Sequence, residues 1–331
     1  MRAIELRETG GPEVLQLVER PKPVVAGPTD VLVRLAAAGV NPVDTKIRSR
    51  GPLIPDGLPM VPGCDGAGVV EAVGTGVSGL KPGDEVWLCH GGLGGPVGNY
   101  AEYILADAAG VRPKPAALGF AEAAAAPLVL ITAWEALFDR GRLQSGQRVL
   151  IHAGAGGVGH VAIQLAHLAG ARVAATVSSP EKADFAHGLG AEYTINYREE
   201  DLVEAVMDWT GGRGVDVAFD TVGPEVFRRT LPAMAHYGTL VTILDPGADQ
   251  DLKEARNRNL CLGFTLMLTP MLRDLPEARA HQREILDRCA AHCERGELRI
   301  QVGATLPLAE AAEAHRRIEA GHTSGKLVLT L

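Results

Sequence analysis

The sequence predicts an α/β protein that combines a doubly wound parallel sheet with a second domain built as a distorted β-barrel. Two observations predict this: the pattern changes near residue 120, and a glycine-rich turn follows the β-branched run Val149–Ile151. Before residue 120, short β-like runs are punctuated by Gly and Pro, which is typical of an antiparallel barrel. From Ala121 to Thr269, helix and strand patterns alternate, which is typical of βα units around a parallel sheet.

The predicted elements follow this division. The barrel strands are Ala3–Leu6, Val31–Ala37, Gly68–Val73, Glu85–Leu88 and Tyr100–Leu105. The strands of the parallel sheet are Val149–His152, Val173–Val177, Tyr193–Ile195, Val215–Asp220, Thr239–Ile243 and Leu260–Leu268. The tail adds a helix, a strand, a helix and a strand: Glu277–Arg295, Arg299–Ala304, Leu308–Ala320 and Lys326–Leu331. Because this tail is too short for a domain, we place the barrel domain at 1–122, completed by 271–331, and the parallel-sheet domain at 123–270.

A glycine-rich loop is the strongest functional signal in the chain. The stretch Gly146–Gly159 reads GQRVLIHAGAGGVG and is followed by an amphipathic helix pattern, as in the dinucleotide-binding βαβ unit of a Rossmann fold. Here Gly154 allows the sharp turn, Gly156 lets the main chain approach a pyrophosphate, and Gly159 lets the helix pack against the strand. The anion would bind the free N–H groups at the helix start. The loop residues assigned to the cofactor are Gly154, Ala155, Gly156, Gly157, Val158 and Gly159.

The tip of the second strand predicts NADPH as the cofactor. An NAD site usually carries a carboxylate at this tip, about 20 residues past the first glycines, to hold the ribose 2′-hydroxyl. Here the tip has Ser178 and Ser179, with Lys182 in the following helix turn, and these groups suit a 2′-phosphate. We interpret Glu181 as helix-start chemistry, with Ser179 as the N-cap and Pro180 at the first helical position.

Composition argues against several classes of partner and site. The net charge of −8 disfavours nucleic acid and anionic membranes, and we see neither a membrane-spanning run nor a signal peptide, so we expect a cytoplasmic protein. The five cysteines are odd in number and form no CxxC pair, which disfavours a disulfide framework or a structural zinc lobe. Cys289 and Cys293 lie one helical turn apart beside His292, an arrangement that we interpret as a buried helix face rather than a metal site.

Motifs along nearly the whole chain resemble a known family. They are GVNPVDTKIRSRG (Gly39–Gly51), VPGCDGAGVVEAVGTGV (Val61–Val77), KPGDEV (Lys81–Val86), GNYAEY (Gly98–Tyr103), LITAWEAL (Leu130–Leu137), INYREEDL (Ile195–Leu202) and SGKLVL (Ser324–Leu329). Together they resemble the zinc-independent quinone oxidoreductase and ζ-crystallin branch of the medium-chain dehydrogenases/reductases. The resemblance implies a GroES-like barrel beside a Rossmann domain, a homodimer, and NADPH-dependent reductase activity.

The same resemblance implies roles for individual residues. It places Asn41 and Asp44 in a cleft between the domains, and it places Thr132 against the nicotinamide. Two structural readings stay open beside these: Asp44 as a buried helix N-cap or hinge partner, and Asn41 as a satisfied loop residue. Further cofactor contacts are assigned to Tyr197, Val222, Gly223 and Lys326.

Where zinc-dependent relatives carry metal ligands, this chain has other residues. Asn41 stands in place of a Cys, Gly63-Cys64-Asp65 stands in place of Gly-His-Glu, and the third ligand position falls at 128–129, which is Leu-Val. A catalytic zinc needs three protein ligands, so we expect no metal. The substrate must then accept a hydride readily, as quinones and α,β-unsaturated carbonyls do.

One departure from close relatives concerns the substrate pocket. Lys46 replaces a Tyr, and it either supplies a charged donor or is solvated on the helix surface, which we favour. Three functions remain: an NADPH:quinone reductase, an NADPH-dependent alkenal or enone reductase, and a non-catalytic NADPH-binding protein of crystallin type. The intact glycine loop favours an enzyme.

The last strand of the parallel sheet predicts self-association. Asn259–Leu268 reads NLCLGFTLML, with apolar residues on both faces and few charges. As the terminal strand of an open sheet it would expose unpaired N–H and C=O groups. Pairing with its own copy across a two-fold axis would satisfy them, whereas the alternative is a covering helix from the same chain.

Overall fold

The computed structural model describes residues 1–321 and 323–331 and divides the chain into two compact units. The first, the mixed-sheet unit, comprises Met1–Leu128 and Leu268–Leu331; the second, the parallel-sheet unit, is Val129–Met267. The sequence placed the corresponding boundaries at 122 and 270. Within the described part of the chain, no helix is both long and apolar enough to cross a bilayer.

The chain alternates strands, helices and a few short 3₁₀ segments. The strands are β1 (Arg2–Leu6), β2 (Leu15–Glu19), β3 (Asp30–Val40), β4 (Asp65–Val73), β5 (Glu85–Cys89), β6 (Tyr103–Asp107), β7 (Val111–Pro113), β8 (Arg148–Ile151), β9 (Arg172–Val177), β10 (Tyr193–Asn196), β11 (Val215–Asp220), β12 (Met234–Thr242), β13 (Cys261–Phe264), β14 (Val302–Pro307) and β15 (Lys326–Thr330). The helices are α1 (Pro42–Arg50), α2 (Phe120–Ala125), α3 (Pro127–Trp134), α4 (Gly159–Leu168), α5 (Pro180–Gly188), α6 (Leu202–Thr210), α7 (Pro224–Thr230), α8 (Lys253–Asn257), α9 (Thr269–Leu272), α10 (Pro276–Glu294) and α11 (Ala311–Ala320). A π-helical segment, Glu135–Arg140, follows α3.

The parallel-sheet unit is the predicted doubly wound sheet. Its six strands lie in the order β10-β9-β8-β11-β12-β13, and every neighbouring pair is parallel. Such strands are covered on both faces and read as apolar runs, which is why Val149, Leu150 and Ile151 are all fully buried. The order of the strands reverses between β8 and β11, so the loops after these strands flank the switch point where α/β sheets bind ligands.

The mixed-sheet unit contains strands from both ends of the chain. Its seven-stranded sheet runs β14-β15-β3-β4-β5-β7, with β6 also paired to β3, and β1 and β2 form a separate two-stranded sheet. The C-terminal strand β15 pairs antiparallel with β3 and parallel with β14, so the tail completes the N-terminal sheet. Its core includes Val31, Val33 and Leu88.

The last strand of the parallel sheet is shorter than predicted. The sequence predicts Leu260–Leu268, but β13 covers only Cys261–Phe264, and it lies at the sheet edge as expected. After Phe264 the chain leaves the strand, and Thr265, Met267 and Leu268 are buried there. The apolar pattern of this stretch therefore reflects burial as well as β structure.

Candidate active site

The glycine loop connects β8 to α4, and its left-handed residue is not a glycine. Ala153 adopts a φ of 51°, whereas Gly154 has ordinary backbone geometry. A Cβ on Gly154 would lie 2.8 Å from Ala175 Cβ and 3.0 Å from Ile163 Cδ1. The sequence-based role of Gly154 in the turn is therefore corrected: it is needed because the loop packs closely on β9 and α4.

Gly159 lets the first turn of α4 approach the loop. A Cβ there would lie 2.2 Å from the Ala153 carbonyl oxygen and 2.9 Å from Gly154 Cα. Gly159 therefore lies against the glycine loop, whereas the sequence analysis placed it against the strand. At Gly156, by contrast, a Cβ would meet no atom closer than the Ala153 oxygen, at 3.1 Å.

The loop has the donors that a pyrophosphate requires. The N–H groups of Gly154 and Gly156 are used by the protein, donating to Thr176 O at 2.9 Å and to Ala153 O at 2.8 Å. Among the described residues, no backbone carbonyl outside α4 accepts from the N–H groups of Ala155, Gly157 or Val158. Free N–H groups at a helix start, together with the helix dipole, form an anion site, so this loop fits the diphosphate of a dinucleotide.

The predicted 2′-phosphate residues lie at one edge of the sheet. Ser178 directly follows β9, Lys182 is half-buried in the first turn of α5, and Tyr197 directly follows β10, its side chain largely exposed. Because β9 and β10 are parallel neighbours, their carboxyl ends meet, and Tyr197 N–H donates to Val177 O at 3.2 Å. Ser179 is the N-cap of α5, accepting from Lys182 N–H at 3.4 Å.

Glu181 has the helix-start role that the sequence predicted. It lies in the first turn of α5, after Pro180, and the Ser179 hydroxyl lowers the pKa of its carboxyl by hydrogen bonding. The Glu181 carboxylate thus has a hydrogen-bond partner within the first turn of α5. This local role is compatible with a 2′-phosphate at Ser178 and Lys182.

A second turn at the switch point carries Val222 and Gly223. Their N–H groups donate to Asp220 Oδ1 at 2.8 and 3.1 Å, and Thr242 Oγ1 donates to Asp220 Oδ2 at 3.0 Å. Asp220 is fully buried at the carboxyl end of β11, next to β8. The sequence assigned no role to Asp220, although a carboxylate ending a buried strand before a Gly-Pro step is a recognisable turn signal.

In the mixed-sheet unit, Asn41 and Asp44 lie at the start of α1 and are buried. Asn41 is the N-cap residue, and its N–H donates to Asp44 Oδ2 at 2.8 Å. The Asn41 Nδ2 donates to Asp65 Oδ2 at 2.9 Å, and Tyr100 O–H donates to Asp44 Oδ2 at 3.1 Å. Asn41 is a satisfied residue within this unit, as one interpretation had it. The N-cap of α1 is Asn41 and not Asp44, which instead accepts the Asn41 N–H from the third helical position.

Lys326 completes this buried polar cluster, which we define as Asn41, Asp44, Asp65, Tyr100 and Lys326. Its ammonium donates to Asn41 Oδ1 and, at 3.1 Å, to Val40 O, and it lies 3.9 Å from Asp65 Oδ2. The side chain is only 3% exposed. The assignment of Lys326 to the cofactor stays a prediction. Its ammonium is engaged by protein oxygens, since β15 pairs beside Val40 and places it there.

Burial controls the charge of the cluster. It raises the pKa of Asp44 to about 7 and also raises the pKa of Asp65, although the Lys326 ammonium opposes both shifts. Burial lowers the pKa of Lys326, and the two carboxylates oppose that change. Two buried carboxyls facing one ammonium favour retention of a further proton near neutral pH. Asp65 and Tyr100 were not among the sequence-predicted site residues.

Thr132 and Lys46 complete the predicted catalytic region. Thr132 is buried in α3, and its contact with the nicotinamide stays a prediction. Lys46 on α1 is half-buried rather than fully solvated. This burial, with a smaller contribution from the charge of Arg50, lowers the pKa of its ammonium. The preference for a solvated Lys46 is therefore only partly right.

Polar residues at the zinc-ligand positions are engaged in contacts within the protein. Cys64 is fully buried, and its thiol donates to Asp44 Oδ1 at 3.8 Å. Among residues 1–321 and 323–331, no group of three or more His, Cys, Asp or Glu side chains could hold a metal ion. Cys289 and Cys293 pack in the core, where burial raises the pKa of both thiols, while His292 pairs with Glu297 at 2.7 Å.

A doubly wound sheet with a glycine loop at its switch point, in one chain with a mixed β-sheet unit, defines a dinucleotide-dependent dehydrogenase or reductase. Comparison with known proteins supports this class of enzyme. Residues 27–116 match the alcohol dehydrogenase GroES-like domain, and residues 189–329 match the zinc-binding dehydrogenase family.

Full-length relatives narrow the class. The chain is 36% identical to quinone oxidoreductase from Pseudomonas aeruginosa, with 99% of each chain covered, and 34% identical to 2-haloacrylate reductase from a Burkholderia species, with 99% of this chain and 98% of that protein covered. It superimposes on the structure of Escherichia coli quinone oxidoreductase complexed with NADPH with a TM-score of 0.89 and 32% identity, over 100% of both chains. The chain belongs to the quinone oxidoreductase family of the medium-chain dehydrogenases/reductases.

Proposed function

We propose that this protein is an NADPH-dependent oxidoreductase that reduces quinones or related conjugated carbonyls without a metal. The observation that carries the proposal is the glycine loop, whose free N–H groups lie at the switch point, next to the strand β9 that ends before Ser178. NADPH, when bound, supplies the hydride. The names of the family relatives support both the cofactor and the substrate class.

Within the parallel-sheet unit we propose the following division of roles. The N–H groups of Ala155, Gly157 and Val158 hold the diphosphate, and Ser178, Lys182 and Tyr197 hold the 2′-phosphate. Val222 and Gly223 present main-chain groups to the cofactor from the turn fixed by Asp220. Thr132 contacts the nicotinamide.

Asn41 and Asp44 act as positioning residues in this proposal. Their hydrogen bonds run to Asp65, Tyr100 and Lys326, so the cluster fixes the start of α1. A quinone needs little acid catalysis because the negative charge that it gains is delocalised onto oxygen, and positioning then supplies much of the rate. The cluster is suited to positioning because its polar atoms bond to one another.

The experiment that tests the function is an assay of NADPH oxidation with a panel of quinones and conjugated enals, run with and without a chelator. We expect turnover of quinones that the chelator leaves unchanged. The similarity to a 2-haloacrylate reductase favours a second candidate, reduction of activated alkenes, which predicts turnover of the enals instead. Stoichiometric zinc that is lost together with activity would contradict the metal-free mechanism, and NADPH binding without any turnover would favour a crystallin-type protein.

We predict a preference for NADPH over NADH that depends on Lys182. A charge-assisted phosphate contact contributes about 1.5–3 kcal/mol, which corresponds to roughly 10- to 150-fold in affinity. Lys182→Ala should therefore weaken NADPH binding while leaving NADH binding nearly unchanged, as measured by fluorescence titration of both nucleotides. The control is Lys253→Ala, an exposed lysine of α8. Equal affinities of the wild type for the two nucleotides would refute the assignment.

We also propose a homodimer formed through β13. This strand ends the parallel sheet and leaves Cys261 and Phe264 exposed, Phe264 by 59%. Antiparallel pairing of two copies across a two-fold axis would join the two sheets and satisfy the open edge.

A charge in the edge strand should disrupt the dimer. Phe264→Lys is expected to give a monomer or a precipitate because a buried ammonium would face its own copy across the axis. Light scattering at micromolar concentration measures the mass. Leu168→Lys, at an exposed position on α4, is the matched control and should leave the dimer intact. A monomeric wild type would refute this proposal.

We propose a cytoplasmic location from the state of the thiols. All five cysteines are free, and Cys64, Cys289 and Cys293 are buried. Disulfides persist in oxidising compartments, whereas free thiols are typical of the reducing cytoplasm.

A further inference from the structure

His152 lies between β8 and the glycine loop and connects several elements of the parallel-sheet unit. Its side chain is buried, and each ring nitrogen has a hydroxyl partner: Nδ1 is 3.3 Å from Thr176 Oγ1, and Nε2 is 2.8 Å from Thr230 Oγ1. Its N–H donates to Phe219 O at 3.0 Å, and its carbonyl accepts from Thr221 Oγ1 at 3.0 Å. One residue thus joins the carboxyl ends of β8, β9 and β11 to helix α7.

The hydrogen bonds around His152 form a chain with a direction. At one end, Ala153 N–H donates to Thr176 Oγ1 at 3.0 Å. At the other end, Thr230 Oγ1 donates to Val226 O at 2.7 Å, which uses its only hydrogen. The ring must then donate from Nε2 to Thr230, and Nδ1 is left to accept from the Thr176 hydroxyl. The opposite tautomer would leave the buried Thr176 hydroxyl hydrogen without an acceptor among the contacts of the described residues.

The protonation state of the ring agrees with this chain. Burial, with a smaller contribution from the positive charge of Arg229, lowers the pKa of His152 to about 3. An imidazolium would donate from both nitrogens and break the acceptance at Nδ1. The ring is therefore neutral, with its proton on Nε2.

The end of the chain at Ala153 is the conformationally demanding point of the loop. Ala153 is a non-glycine residue with a φ of 51°, a conformation that costs free energy and persists only where its surroundings fix it. Thr176 fixes it from both sides, since Oγ1 accepts from Ala153 N–H and its carbonyl accepts from Gly154 N–H at 2.9 Å. Ala153 in turn accepts from Gly156 N–H, so its orientation controls the loop.

We propose that His152 is a positioning residue for the cofactor, which holds the glycine loop in its binding conformation through the chain Ala153–Thr176–His152–Thr230. These hydrogen bonds also connect the glycine loop to the second predicted cofactor segment, Val222 and Gly223, because α7 begins directly after that turn. This inference rests on the proposed NADPH site and adds a residue to it that does not touch the nucleotide.

The test compares two threonines with the same local chemistry. Thr230 Oγ1 and Thr210 Oγ1 are both buried and both donate at 2.7 Å to the carbonyl of a valine four residues earlier, Val226 and Val206. Only Thr230 touches His152. We expect Thr230→Val to raise the Kd of NADPH about 5-fold, the effect of one lost hydrogen bond, and Thr210→Val to leave it within about 2-fold. Equal effects of the two substitutions would overturn the inference.

A second measurement separates positioning from general stability. ¹⁵N NMR of the histidine ring, assigned with His152→Gln, should show a neutral ring protonated at Nε2 from pH 5 to pH 8, and Thr230→Val should shift it toward the Nδ1–H tautomer. An imidazolium signal at pH 6, or an Nδ1–H ring in the wild type, would overturn the inference. If the wild type fails to bind NADPH, the proposed function is wrong. The NMR measurements of the ring then still test the hydrogen bonds from Ala153 to Thr230.

Discussion

Gly159→Ala is expected to weaken NADPH binding about 100-fold, near the upper end of what overpacking at one site costs. The new methyl group would lie 2.2 Å from the Ala153 oxygen and 2.9 Å from both Ala153 C and Gly154 Cα. All three are main-chain atoms, so no side chain can move aside to make room. The first turn of α4 must separate from the loop, and the N–H groups that we assign to the diphosphate lose their common direction.

The control for this prediction is Gly188→Ala, in the last turn of α5 in the same unit. Apart from its chain neighbours and the backbone of its own helix, no heavy atom lies within 4 Å of a Cβ at Gly188. The substitution is therefore expected to leave the Kd of NADPH within about 2-fold and to favour the helix slightly. Fluorescence titration gives the affinities, and circular dichroism verifies that both variants fold. Wild-type affinity in Gly159→Ala would show that the diphosphate binds elsewhere.

The parallel-sheet unit was predictable because its signals are local. Each strand is a short apolar run, such as Val149–Ile151, and the glycine loop identifies which strand lies at the centre. The start of α5 is likewise predictable from the types of three consecutive residues, Ser179, Pro180 and Glu181. Propensity and spacing act over a few residues, so they can be recognised without the fold.

Prediction from local sequence was wrong for two features, the turn residue of the glycine loop and the end of the last strand. It gave the turn to Gly154, but the left-handed residue is Ala153, which Thr176 holds from across the sheet. It extended the last strand to Leu268, although Thr265 and Met267 are buried outside the strand. For Ala153, a tertiary contact decides the conformation, and the sequence nearby does not report that contact.

Lys326 is the clearest example of a residue that only the fold explains. The sequence assigns the lysine of the C-terminal GKLVL segment to the cofactor, and it does not indicate the partner Val40, which is 286 residues away in the chain. No periodicity or spacing links two positions so far apart. The pairing of β15 with β3 brings the ammonium to Asn41 and Asp65, and burial there decides its role.

The second large effect is therefore predicted for Lys326→Met. Removing the ammonium leaves Asp44 and Asp65 buried without their counter-charge and leaves Asn41 Oδ1 without this donor. Breaking a buried pair from one side typically costs about 3–5 kcal/mol in the free energy of unfolding. Urea unfolding of the variant and the wild type measures this difference.

The loss should depend on pH, and its sign follows from the carboxyl groups. Burial raises the pKa of Asp44 above its unfolded value of 3.8, to about 7 in the wild type, so the folded state binds more protons than the unfolded chain. Stability from such a group is fully present below the unfolded pKa and is lost as the pH rises through the folded pKa. Without Lys326, which opposes the shift, the pKa of Asp44 rises further. The deficit of Lys326→Met should therefore be smaller at pH 5 than at pH 8.

A second lysine in the same unit, whose side chain is enclosed by protein, supplies the control. The Lys114 side chain is 4% exposed and its ammonium donates to the Pro115 and Leu118 carbonyls, but its carboxylate partner Glu85 is 52% exposed and can be solvated. Lys114→Met should cost stability by a similar amount at pH 5 and pH 8, because no buried carboxylate loses its partner. Parallel pH profiles for the two variants would refute the assignment of Lys326 as the counter-charge of the buried cluster, whereas a steeper fall for Lys326→Met identifies Asp44 and Asp65 as the groups that take up the proton.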